Sequence, residues 1–405
     1  MASEVADSVD NVAARQVLAY LAEHEDEHVA FLSDFLRIRS VWGRGPELTQ
    51  AAGMLAESLR SVGVPADLTR CGTDGMRNVQ AAFGPATGDG LIFNGHMEVY
   101  PPSTSWTRDP FGGEVDSGRI YGVGVSDMKA GTVAMTMAVN ALAATGFQPA
   151  RAITILAVPN HYEGGEGTRQ ALRDGLDARF AINCEPSDMK VLDGQRGIAY
   201  VHARVRGRAS HTTALDVGVN AIERATRFIR EALDAPITDR DGATVDATKV
   251  CNVAQISGGV VHNLVPEFCD VTFDVRFPPE QDDQCVLRDF RAAIDRALSD
   301  HDEFPVELSL EDTCAKNPRS SLRIPADATI LSTLERAHRY SAHADPGRDF
   351  HKAWPDTPIF WEAGIEAATY GPGSMDCYWD DESVSIEDYL TAIRTYAIAA
   401  LELTA

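Results

Sequence analysis

Gly90-Leu91-Ile92-Phe93-Asn94-Gly95-His96-Met97-Glu98-Val99-Tyr100-Pro101 begins as a short apolar run and ends in a histidine and a carboxylate two residues apart. A run so short and uncharged reads as a strand buried on both faces. Comparable runs occur at 151 to 158 and 179 to 184, with helical segments at 129 to 146 and 165 to 174 between them. Strands alternating with helices predict an α/β sheet with helices on both faces.

N-terminal to that run, residues 11 to 39 carry Val17, Leu18, Leu21, Val29, Leu32 and Leu36 at helical spacing, and residues 47 to 61 repeat the pattern. The uncharged stretch 130 to 150 is rich in Ala, Thr and Gly and contains Asn140. It is too weakly apolar for a membrane span and reads as a helix buried in the protein. From about 197 the texture changes to strands at 199 to 205, 250 to 256, 269 to 277 and 306 to 310, around helices at 217 to 233 and 282 to 298. This predicts a compact α+β insert. Helical periodicity resumes after 325, and a helix at 385 to 402 closes the chain. The expected division is a sheet domain of residues 1–195 and 320–405, interrupted by a smaller domain of residues 196–319.

Composition agrees with two domains, because 405 residues exceed the ~250 to 300 at which a single core stops growing. Hydrophobic residues at 44% and charged residues at 24% are ordinary for a globular chain. With 60 acidic against 36 basic residues the formal charge is -24. That field repels nucleic acid and anionic lipid, so neither is an expected partner. The start, Met-Ala-Ser-Glu-Val-Ala-Asp, has neither the basic region nor the apolar run of a signal peptide, and a cytoplasmic location is expected. Cys71, Cys184, Cys251, Cys269, Cys285, Cys314 and Cys377 are odd in number and scattered, which suits free thiols in a reducing compartment.

His96 stands at the carboxyl end of a strand, where open α/β sheets bind ligands. Glu98, two residues on, lies on the same side of an extended chain and can orient the imidazole. Asp127 ends the segment Trp106 to Gly131 at the mouth of the long buried helix. There it is either a functional carboxylate or a helix cap.

Taken together the segments form an ordered series: His-x-acid-x-x-Pro, then Trp-x-x-Asp-Pro-Phe, then Gly-x-Gly-x-x-Asp-Met-Lys. The chain resembles the zinc family of acetylornithine deacetylase, succinyl-diaminopimelate desuccinylase, aminoacylase and carboxypeptidase G. The likeness continues through Cys184-Glu185-Pro186-Ser187, Gly207 to His211, Gly258 to Pro266, Asp274-Val275-Arg276 and Gly371-Pro372-Gly373-Ser374. It implies a catalytic sheet domain with a lid that also mediates dimerisation, and a pair of metals about 3.5 to 4 Å apart. By motif position Asp127 matches the ligand shared by both metals, and His96 and Glu185 match the remaining ligands of one.

The other half of the centre departs from the pattern. The family places an acidic pair after the strand at 151 to 158, first a general base and then a ligand. Here His161 replaces the base and Tyr162 the ligand, unless a shift by one residue recruits Glu163 or Glu166 takes the place of the missing acidic pair. The last ligand, a histidine after Gly-Pro-Gly, gives way to Tyr378 or Trp379. One zinc-like divalent ion or none is therefore expected, with His161 either a general base near neutral pH or a structural histidine. The resemblance further assigns His211 to oxyanion stabilisation in a partner subunit, and Asn263, Arg276, Gly371 and Gly373 to the substrate. Tyr162 and Trp379 join them as aromatic contacts.

Three functions follow from these readings. The first is a hydrolase of a small N-acyl amino acid or peptide-like amide, its substrate carrying a carboxylate and an amide or amine. The second is a non-hydrolytic enzyme, such as a lyase, cyclase, isomerase or acyl transferase, with His161 as acid and base. The third, a non-catalytic binding protein, leaves Asp127, Glu185 and His211 without a purpose.

Overall fold

The computed structural model describes residues 11–72, 75–85, 88–298, 303–374 and 379–405. These divide into two compact units, one running to Gly194 and including Ile324–His351 and Pro355–Ala405, the other comprising Gln195–Arg323 and Lys352–Trp354.

The first unit is a mixed sheet with a parallel centre. Strands Leu91–His96, Ile153–Val158 and Phe180–Asn183 are buried at every residue, as uncharged runs must be when both faces are covered. Leu91–His96 lies between the other two, parallel to both, and Glu366–Thr369 extends the parallel set beyond Phe180–Asn183. Outside these, Arg77–Phe83 pairs antiparallel with Ile153–Val158 and with Ala66–Arg70. At the other side Val191–Gln195 runs antiparallel to Glu366–Thr369.

The helix at Ala130–Ala144 is buried from Ala130 through Leu142, which its lack of charge allows. Ile386–Thr404 packs beside it, and Asn94, Thr132 and Thr136 satisfy their polar atoms within this core. Among the described residues no helix is long and apolar enough to cross a membrane. The periodic stretch 11 to 39 is two helices, Asn11–Glu23 and Glu25–Leu36. They part at His24, whose Nδ1 lies 2.8 Å from the Tyr20 carbonyl. Side-chain bonding to backbone of this kind competes with the helical ladder.

The second unit is an antiparallel sheet in the order Val250–Gly258, Phe268–Phe277, Gly197–Arg206, Val306–Leu310. Helices Ala221–Asp234 and Asp283–Ala297 supply Phe228, Phe290 and Ile294 to a core shared with Val201, Val271 and Phe273. Asn220 and Asp282 cap the two helices through their side-chain oxygens. Cys71, Cys184, Cys251, Cys269, Cys285 and Cys314 are free thiols, and Cys377 lies outside the described residues.

Candidate metal centre and active site

Three neighbouring parallel strands deliver three site residues to one carboxyl edge of the sheet. His96 ends its strand, Glu185 follows Phe180–Asn183 by two residues, and His161 opens a short 3-10 turn, His161–Glu163, after Ile153–Val158. Asp127 reaches the same point from the turn that precedes Ala130–Ala144. Topology alone converges these residues where such sheets bind ligands.

His96 Nε2 lies 3.0 Å from Asp127 Oδ1 and 3.5 Å from Glu185 Oε1. Its Nδ1 faces the Glu98 carbonyl at 3.0 Å, which directs Nε2 to the carboxylates. Zinc bonds of ~2.0 to 2.2 Å in a tetrahedron set neighbouring donors about 3.3 to 3.6 Å apart, close to this spacing. Burial would lower the His96 pKa, but the Asp127 hydrogen bond and the charges of Glu185, Asp127 and Glu98 push it up to about 10. Burial, with Asp127 next to it, holds the Glu185 carboxyl well above the usual range. A divalent ion suits this donor set. One imidazole and two carboxylates with a coordination position left open is the pattern of catalytic zinc.

His161 lies in the same cluster, with donor atoms of His96, His161 and Glu185 all within 4.8 Å of one another. Ring orientation separates its role from theirs. The two imidazoles stack with centroids 4.6 Å apart and an interplanar angle of 12°. Nearly parallel rings at that separation cannot both aim an in-plane lone pair at one ion. His161 Nδ1 is held by Asp356 Oδ1 at 2.9 Å, and Nε2 lies 3.7 Å from Glu185 Oε1. Asp356 is 1% exposed. Burial would raise its pKa, but the facing His161 and the Thr168 hydroxyl keep it below the ordinary carboxylate range. An ionised Asp356 fixes the proton on Nδ1 and leaves Nε2 as an acceptor at the centre.

Tyr162 is built into an aromatic wall, stacked on Tyr100 at 3.9 Å and edge-on to Trp42 at 6.4 Å. Burial, with Asp127 beside it, raises its pKa well above 10, so it stands as a neutral phenol where the resemblance places a carboxylate ligand in relatives. Neither Glu163 nor Glu166 joins the cluster, and Glu166 pairs with Arg173 at 2.5 Å. Tyr378 lies outside the described residues, and Trp379 is 51% exposed.

Glu98 faces His96 and also holds a second element of the site. Its Oε2 is 4.0 Å from His96 Nδ1, while Oε1 accepts the backbone N–H groups of His161 and Tyr162. Glu98 thus holds the turn that presents His161. Gly371 and Gly373 serve close packing. A Cβ on Gly371 would meet the carbonyl oxygens of Cys184 and Glu185 at 2.5 and 2.6 Å. One on Gly373, at φ +98, would meet Ser126 Oγ at 2.5 Å.

No sequence pattern marks Glu382, whose carboxylate accepts from the amides of Gly124, Ser126 and Asp127 at 2.9, 2.7 and 3.3 Å. Burial pushes its pKa up to about 7. In the second unit His211 is exposed and caps the turn Thr212–Ala214, Asn263 is exposed, and Arg276 forms a two-pronged pair with Asp274 at 2.7 and 2.9 Å.

Comparison with known proteins agrees with this architecture. A succinyl-diaminopimelate desuccinylase of Anaplasma marginale is 27% identical over 366 residues, covering 87% of this chain and 91% of its own. An M20 family metallo-carboxypeptidase of Sulfolobus solfataricus superposes with a TM-score of 0.74 at 17% identity, covering 93% of this chain and 99% of its own. A Bacillus subtilis protein described as a dinuclear metal binding peptidase from the M20 family gives 0.67 at 12% identity, covering 92% and 97%. Residues 92–402 match the model of peptidase family M20/M25/M40. A match over most of the chain, on a fold that places the motif residues at one edge, makes this chain a member of peptidase family M20/M25/M40, an enzyme family of amide-bond hydrolases.

Proposed function

We propose that the chain hydrolyses the amide of a small N-acyl amino acid or peptide-like substrate with a single divalent metal. The observation that carries this reading is the pairing of a complete ligand set, His96, Asp127 and Glu185, with a neutral Tyr162 in place of a second ion's carboxylate.

When bound, the ion supplies Lewis acidity, polarising a carbonyl and making water more acidic. His96 is turned toward it by the Glu98 carbonyl, and Asp127 is fixed by a loop whose amides Glu382 collects. His161 receives the proton of the attacking water at Nε2, because Asp356 keeps the Nδ1 proton in place and stabilises the imidazolium that forms. The same proton is then available to the leaving amine. Tyr162, Tyr100 and Trp42 close one side and limit access of further water.

The insert is assigned to dimerisation. Its edge strand Val250–Gly258 leaves Val250 and Ile256 exposed at 40% and 53%, with Val260 at 87% beyond it. An unpaired apolar edge of this kind invites a second copy.

The test uses protein loaded with zinc, a panel of N-acetyl, N-formyl and N-succinyl amino acids and dipeptides, and detection of the freed amine. Release that stops on chelation and returns with zinc is expected. Release indifferent to chelation would contradict the metal, and no release from any member would contradict the hydrolase.

A further inference from the structure

The three ligand side chains are not held by equal means. His96 is fixed in register opposite Val158, and Glu185 follows a buried strand by two residues, so the sheet ladder locates both. Asp127 comes from a turn and has no ladder behind it. That turn is buried, with Ser126 and Asp127 3% and 7% exposed. At its start Gly124 takes φ +72, and a Cβ there would collide with the Val99 side chain. Buried amides require acceptors, and those of Gly124, Ser126 and Asp127 all find theirs on one carboxylate. Glu382 Oε2 takes the first, and Oε1 takes the other two. Glu382 is itself 3% exposed. Strand pairing delivers it, because Ser383–Ser385 runs antiparallel to Arg119–Tyr121 and the Gly122 N–H then donates to the Glu382 carbonyl at 3.1 Å.

We infer that Glu382 is a positioning residue of the metal centre: by gathering three amides of one turn it fixes where the Asp127 carboxylate stands, and so sets how tightly the ion is held. Both of its oxygens are used, which makes the isosteric change informative. Glutamine places an NH2 where one oxygen was, so whichever way its amide turns, at least one buried backbone N–H faces a donor. The neighbouring Asp381 supplies a comparison on the same segment. Its carboxylate accepts the amides of Thr107 and Arg108 at 2.9 and 3.0 Å, on a stretch remote in sequence from Asp127. The inference rests on the single-metal reading for its effect on the ion, and on the geometry of the turn alone for its effect on the chain.

Two measurements on the full chain separate these. Hydrogen exchange of metal-free protein, read by mass spectrometry on a peptide spanning 122 to 128, should be at least about tenfold faster in Glu382→Gln than in the parent and unchanged in Asp381→Asn. Zinc affinity, from competition with a chromophoric chelator, should fall about 10- to 100-fold in Glu382→Gln, the usual effect of removing a residue that orients a ligand. Glu382→Asp, which keeps the charge but withdraws it by one methylene, should fall between Glu382→Gln and the parent in both measurements. Asp381→Asn should stay close to the parent. The absorption of cobalt(II)-loaded protein, which reports ligand geometry, should change shape in Glu382→Gln, and circular dichroism verifies that each variant folds. Unchanged exchange of that peptide in Glu382→Gln and Glu382→Asp, or a loss of zinc affinity in Asp381→Asn equal to that in Glu382→Gln, overturns the inference. The exchange measurement uses neither metal nor turnover, so failure of the hydrolase reading and failure of this one are separate results.

Discussion

Asp356→Asn isolates the proposed role of His161 with the smallest change of shape. Asn94 Nδ2 donates to Thr168 Oγ1 at 3.1 Å, so the Thr168 hydroxyl proton is directed to Asp356 Oδ2 at 2.5 Å. In the variant that proton still requires an acceptor, and the asparagine carbonyl must take it. The amide NH2 then faces His161 Nδ1, which is 2.9 Å from the other Asp356 oxygen. Nδ1 becomes an acceptor, the ring proton moves to Nε2, and the base is lost. General-base catalysis contributes about 10² to 10⁴, or about 3 to 5 kcal/mol in the barrier. Turnover of zinc-loaded protein should fall by that factor, with zinc content unchanged because His96, Asp127 and Glu185 are untouched. Losing one charged, buried hydrogen bond should also lower stability by about 1.5 to 3 kcal/mol. A turnover within threefold of the parent, or zinc lost in proportion to activity, would refute the assignment.

Gly371→Ala sets a methyl 2.5 Å from one backbone carbonyl and 2.6 Å from another. It should cost about 1 to 3 kcal/mol and weaken zinc by displacing Glu185; unchanged melting temperature and zinc affinity would contradict the packing account. His28 and His351 are buried, and burial lowers both to about 4. Below pH ~6.5 the unfolded chain takes up protons that the folded chain refuses until about pH 4. Stability should therefore fall as pH drops through that window, by up to about 3 kcal/mol per histidine. His28→Asn should flatten the slope by about 1.4 kcal/mol per pH unit in denaturant melts, and an unaltered slope would argue against it. Ile256→Arg on the exposed edge strand should yield monomers in sedimentation, whereas an unchanged dimer would move the interface elsewhere.

Much of the sheet and of the cluster at its carboxyl edge was legible because both depend on local pattern. Uncharged runs mark Leu91–His96, Ile153–Val158 and Phe180–Asn183, and a residue at or just past a strand end has its location fixed by topology. The hairpin of Ala66–Arg70 and Arg77–Phe83 escaped, since its Asp, Thr, Arg and Gln dilute the alternation at a sheet margin. Partners brought together by folding alone were illegible. Asp356 is 195 residues from His161, and Glu382 is 255 from Asp127. The bonds of Glu98 to the His161 and Tyr162 amides were illegible for the same reason, being made 63 and 64 residues away.

The central claim is one metal per chain, and its most direct measurement is the zinc content of protein saturated with zinc, desalted and analysed by mass spectrometry against amino-acid quantitation. One equivalent is expected, falling to none in His96→Ala and remaining at one in His161→Ala. Two equivalents in the parent, or zinc lost from His161→Ala, would contradict the account.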